Sequence, residues 1–148
     1  MSVITLDHFA NDPTEPTWTA EIPGRSRAAI AERQAAGEYW RTIVRELRGT
    51  NKLALANAHA IKRLTLAMII YDRALIQVAK HGPVIAAPKT GTPMHNPWFT
   101  VMIQAGKTVT TLESDLTITP RSRDDGGAVP PPPRKPTGSD RYLSRQKD

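Results

Sequence analysis

Apolar side chains recur in steps of three and four from about Leu53 to His81, a stretch that contains neither proline nor glycine. One line of them runs through Ala60, Leu64, Ala67, Tyr71, Ala74 and Val78, and a second, Ile61, Met68, Leu75 and Ala79, lies beside it. That is the 3.6-residue period of a helix, with an apolar stripe wider than a solitary surface helix needs. At ~1.5 Å per residue the helix would be roughly 40 Å long. Gly82-Pro83 ends it, since a glycine cap followed by proline cannot continue the hydrogen-bond ladder. A helix of this length and breadth of apolar surface calls for partners on more than one side. Two further helices and copies of the same chain are the available ones.

The same period appears on both sides of it. Residues 24–48 form a helical segment with Trp40, Ile43, Val44 and Leu47 on one face, and Gly37 marks an expected break or bend. The segment ends at Gly49, and Thr50 or Asn51 is expected to cap the long helix that follows. Residues 83–96 carry Pro88, Gly91 and Pro93, which forbid a helix and predict a short hairpin or ordered loop. Asn96-Pro97 then opens a third helix, asparagine suiting the cap and proline the first turn. Trp98, Val101, Met102, Ala105, Val109, Leu112 and Leu116 form its apolar face, with Trp98 and Met102 expected in the core, and Thr119-Pro120 closes it. The fold class is therefore mainly α: a three-helix oligomerising core, a hairpin or loop insertion between the second and third helices, and flexible termini.

Charge divides the chain into three parts. Residues 1–24 hold four acidic and no basic residues, with three prolines, and read as an acidic flexible arm. Residues 25–120 hold 13 basic and 6 acidic residues and are expected to be a helical oligomerisation and DNA-binding core; residues 121–148 read as a basic, proline-rich tail with 7 basic and 4 acidic residues. A core of about a hundred residues buries only a modest interior, which oligomerisation would supplement. The net charge of +6 suggests a polyanionic partner, most often nucleic acid. Arg41, Arg45, Arg48 and Lys52 follow at spacings of four, three and four, which stacks them on one side of a helix. That spacing fits either a phosphate-contacting stripe or an ordinary solvated face. Lys62 and Arg63 lie on the polar flank of the long helix; Asp72 and Arg73 further along it read as surface residues. Two helices joined by a tight turn suggest a helix-turn-helix, although both are long for a DNA-reading unit.

The reactive side chains exclude more functions than they suggest. There is no cysteine, so disulfides and thiolate metal sites are ruled out. His8, His59, His81 and His95 share no ligand spacing, so no metal or other cofactor is expected. Gly106-Lys107-Thr108 resembles the end of a phosphate loop, but Val101 stands where that motif needs its first glycine, and the triplet falls within a helix. No nucleophile elbow or paired carboxylates point to an enzyme. No apolar run of ~20 residues would span a membrane, and no signal pattern opens the chain, which predicts a protein of the cell interior. The tail's Pro130–Pro133 run favours an extended polyproline conformation.

Tyr39 to Leu47 resembles the W-x-x-I-V-x-x-L element of the small terminase subunits of tailed bacteriophages, in the branch typical of cohesive-end genomes. The long helix ending at Lys80–Val84, the Gly91 loop and Asn96-Pro97 follow in the order of that branch. Its closing L-G-L-T-P-x-x-R pattern is matched by Leu116 to Arg123, with Thr117 in place of the usual glycine; Ala56 stands where an aspartate often opens the long helix. The resemblance spans about residues 36–123. It implies a non-enzymatic subunit in the host cytoplasm that forms a homo-oligomeric ring, recognises double-stranded viral DNA for packaging, and recruits and regulates the large terminase ATPase-nuclease. On that reading Arg41, Arg45, Arg48, Lys52, Lys62 and Arg63, with Arg121 and Arg123 after the last helix, are the candidate DNA contacts. The alternatives are a phage transcription regulator of helix-turn-helix type and a head-completion or connector protein that does not bind DNA.

Overall fold

The computed structural model describes residues 12–120. Three long helices dominate it: α2 (Arg27–Gly49), α3 (Ala58–His81) and α4 (Pro97–Asp115). A one-turn helix, α1 (Trp18–Glu21), precedes them, a 3-10 turn (Leu55–Asn57) leads into α3, and a two-stranded hairpin, β1 (Val84–Ala86) and β2 (Pro93–His95), joins α3 to α4. The mainly helical class, three principal helices and inserted hairpin agree with the sequence pattern.

The core lies between α2 and α3. Trp40, Ile43, Val44 and Leu47 face Ile61, Leu64 and Ile69, and Leu112 and Leu116 from the end of α4 close one side. α4 runs back along α3, so the long helix is covered on two sides by its own chain. The hairpin permits this reversal: it pairs antiparallel with Ile85 opposite Met94, and Gly91 takes a positive φ of 70° in its tip. Asn96, only 2% exposed, fixes the entry to α4. Its Oδ1 accepts from the Trp98 backbone N–H at 3.0 Å, and its Nδ2 donates to the Gly82 carbonyl at 2.8 Å, tying the cap of α4 to the end of α3.

Several expectations are corrected. α2 runs unbroken through Gly37, which is buried. The packing of Ala36 and Trp40 on either side outweighs the ~1 kcal/mol propensity cost of a helical glycine. The acidic arm expected to be flexible packs from Asp12 onward: Trp18 and Ile22 join the core, and Trp18 meets Trp40 edge-to-face with centroids 6.1 Å apart. Trp98 is 38% exposed and Met102 only half-buried, because α4 turns Ala105 and Leu112, rather than its N-terminal aromatic, toward α3. On α3 the buried line includes Thr65 and Ile69, whereas Leu75 is exposed. Thr50 and Asn51 serve the helix before them: Thr50 Oγ1 donates to the Glu46 carbonyl, and Asn51 adopts φ 56° in a closing turn where Lys52 N–H reaches the Leu47 carbonyl at 2.8 Å.

The end of α4 repeats that closing turn with a less suitable residue. Ile118 N–H reaches the Glu113 carbonyl and Thr117 N–H the Ser114 carbonyl, both at 2.9 Å, which places Thr117 at φ 57°. This is the left-handed position that glycine adopts freely and a β-branched residue adopts under strain. Thr117→Gly should therefore stabilise the fold by about 1 kcal/mol, read as a rise of several degrees in the thermal midpoint followed by circular dichroism. An unchanged or lower midpoint would show that the threonine is not strained.

Candidate nucleic-acid interface

The inner face of α2 is committed to the core, which leaves Arg41, Arg45 and Arg48 on its outer face, all exposed. They border a shallow cleft of about 330 Å³ whose floor is Trp40 and Val44 and whose far wall is Asp12, Pro13 and Glu15. Lys52 departs from the expected stripe. It lies beyond Gly49, in the turn that closes α2, where the helical spacing no longer holds.

The N-terminal segment supplies carboxylates to this basic surface. Arg48 Nη2 pairs with Asp12 Oδ2, and Arg41 Nη1 lies 3.8 Å from Glu15 Oε2. The other oxygen of Glu15 accepts the Trp18 indole N–H at 2.8 Å. Gly37 makes room for this arrangement, because a Cβ there would stand 3.1 Å from Glu15 Oε1 and 3.3 Å from Arg41 Nη2. One helix further, Lys62 Nζ meets Glu21 Oε1 at 2.7 Å. Arg45 has no ion-pair partner among the described residues. Arg63 is exposed at the lip of a separate groove between α3 and α4, with Ile70, Val101 and Ala105. The structure thus brings Arg41, Arg45 and Arg48 together and leaves Lys52, Lys62 and Arg63 apart from them. Arg121 and Arg123 lie outside the described residues, as does the proline-rich tail.

Local periodicity gave no hint of the carboxylates that meet these cations. The signal that could have found them is the charge contrast between residues 1–24 and the middle of the chain, read together with Trp18 and Ile22 as docking points.

Two further polar pairs clamp α2 to α3. Tyr39 Oη donates to Asp72 Oδ2 at 2.6 Å, and Arg73 binds Glu32 through two bonds of 2.8 and 2.7 Å. Arg73 is exposed, as expected of a surface residue, and Asp72 is half-buried; each reaches a partner on α2. The bond to Asp72, then partial burial, pushes the Tyr39 hydroxyl up to about 12 from its ordinary 10.0, so it stays a protonated donor at neutral pH. The Arg73 bond holds Glu32 below the usual carboxylate value. The two linkages act at opposite ends of the pH scale. Glu32 contributes stability that is present above its ordinary value and lost as pH falls through its depressed one. Tyr39 contributes stability that is full below pH 10 and lost between pH 10 and about 12, where the unfolded phenol ionises first. Tyr39→Phe should cost about 1 kcal/mol at neutral pH, the bond being half-exposed. It should also flatten the fall in melting temperature above pH 10, which paired thermal melts would show.

Gly106-Lys107-Thr108 lies within α4, where Thr108 Oγ1 donates to the Gln104 carbonyl and the ring of Tyr71 packs over Gly106. Its glycine serves helix packing. Among the described residues no group of three or more His, Cys, Asp or Glu could hold a metal ion, and no helix is long and apolar enough to cross a membrane.

Comparison with known proteins gives one family: residues 36–130 match the model of the phage terminase small subunit. No curated protein and no solved structure matches the chain.

Proposed function

The chain belongs to the phage terminase small-subunit family, which has a role in phage DNA packaging, and from that premise we propose that it is the DNA-recognition subunit of the packaging machine. In this reading it acts in the host cytoplasm, assembles into a ring, grips double-stranded viral DNA, and recruits and regulates the large terminase subunit. It performs no chemistry itself.

The observation that carries the reading is the outer face of α2. Three arginines at helical spacing project from a helix whose opposite face is locked in the core, and Arg45 among them has no ion-pair partner among the described residues. A rigid helix presents such charges at fixed separation, which suits contact with a phosphate backbone. Self-association is supported by apolar side chains left at the surface, including Ile70, Leu75 and Ile76 on α3 and Trp98 and Ile103 on α4. A head-to-tail ring would cover them and repeat the α2 face once per subunit, so weak phosphate contacts add through multivalency. Lys62, Arg63, Lys52 and the post-helical Arg121 and Arg123 are secondary contacts in this account.

Gel-shift titration of the full chain with duplex DNA tests the reading, beside native mass spectrometry for subunit number. Duplex binding by a multimer supports it. A dimer would favour the regulator alternative, and a ring indifferent to DNA the connector alternative.

A further inference from the structure

We propose that residues 12–17 form a built-in phosphate mimic that occupies the α2 basic face and must be displaced when duplex DNA binds there. The inference rests on the DNA-binding reading given above and adds a regulation to it.

The segment reads Asp-Pro-Thr-Glu-Pro-Thr and has no helix or strand in the structure. Its two prolines keep it extended. It lies antiparallel to α2, Asp12 on Arg48 and Glu15 on Arg41. The spacings agree: three extended residues span about 9 Å, and the seven residues from Arg41 to Arg48 rise about 10 Å along the helix. Pro13 is buried against the same cleft. Trp18, packed on Trp40, anchors the segment at its C-terminal end. Residues 12–17 can therefore lift away while the core stays intact.

The contacts that hold the segment are weak enough to yield. The Arg41 and Arg48 side chains are 59% and 52% exposed in these pairs, and ion pairs of that kind contribute little in water. A duplex offers a dense array of phosphates and releases counterions on binding, so it outcompetes two isolated carboxylates. Arg45, between the two paired arginines, is the open position at which a phosphate enters. The segment then acts as a threshold: isolated anions leave it in place, and the continuous phosphate array of a duplex removes it.

The test uses the full chain and fluorescence anisotropy with a short random-sequence duplex. Asp12→Asn with Glu15→Gln removes both charges and keeps an acceptor for the Trp18 indole. Glu113→Gln with Asp115→Asn makes the same change in net charge at the far end of α4 and serves as the control. The expected result is duplex binding about three- to ten-fold tighter for the first variant than for the control. That gain should vanish when Arg41→Glu and Arg48→Glu are added. A gain no larger than the control's would overturn the proposal. So would an unchanged affinity in a protein whose binding still depends on Arg41 and Arg48, and that outcome would leave the DNA-binding reading intact. Absence of duplex binding by every variant, wild type included, would overturn the DNA-binding reading itself and the mimic with it.

Discussion

Trp40→Ala should cost about 3–5 kcal/mol, the range for deleting a buried aromatic, and so remove much of the stability of a domain this small. Trp40 is 3% exposed and stands where α1, α2 and the N-terminal segment meet. Its loss would open a cavity beside Trp18 and Val44, and the stiff helices around it cannot collapse to fill it. The docking of residues 12–22 depends on this ring, so the effect should extend beyond α2. Thermal melting followed by circular dichroism would show a much lower or absent cooperative transition. Trp40→Phe, which keeps an aromatic face for Trp18, should recover a substantial part of it. A midpoint within a few degrees of wild type for the alanine variant would mean that the core is not organised around this contact.

On the proposed reading, in which Arg45 and Arg48 meet phosphate in every subunit of a ring, Arg45→Glu with Arg48→Glu should weaken duplex binding about ten- to hundred-fold. Both side chains are exposed and outside the core, so fold and assembly should survive. The salt dependence should also become shallower, since each lost phosphate contact removes about 0.9 from the slope of log affinity against log salt. A gel-shift titration with unchanged midpoint would exclude the α2 face. The same substitutions on Arg63, which lies at another groove, should have a smaller effect if α2 dominates.

Much of this architecture could be read from the chain. The proline and glycine punctuation at 82–93 marked the hairpin, Asn96-Pro97 marked the start of α4, and the three-and-four spacing of Trp40 to Leu47 marked the buried face of α2. These are local signals, written within one or two helical turns. What escaped was the pairing of distant segments. Asp12 with Arg48, Glu21 with Lys62 and Glu32 with Arg73 each join residues 36 to 41 positions apart. No periodicity encodes such pairs. Gly37 differs from its expectation for a related reason: its propensity argues for a break, whereas the carboxylate lying across it, from far earlier in the chain, explains why a glycine is accommodated. Spacing alone places Trp98 in the core, whereas at the first turn of α4 it lies away from Ala105 and Leu112, the residues of that helix that are buried.

The substitution of threonine for the usual glycine at position 117 illustrates how structure changes the meaning of a departure. In sequence it only weakens a resemblance. In the structure the backbone there retains a positive φ of 57°, so the glycine-demanding turn persists and the residue bears the strain.

On the proposed reading the helical core satisfies its remaining apolar surface by self-association and thereby assembles a basic face that holds duplex DNA. Sedimentation velocity of the full chain, alone and with duplex DNA across a rising salt series, tests it most directly. The expected result is a discrete multimer that co-sediments with duplex at low salt and releases it steeply as salt increases. A monomer that leaves the duplex free even at the lowest ionic strength would contradict it.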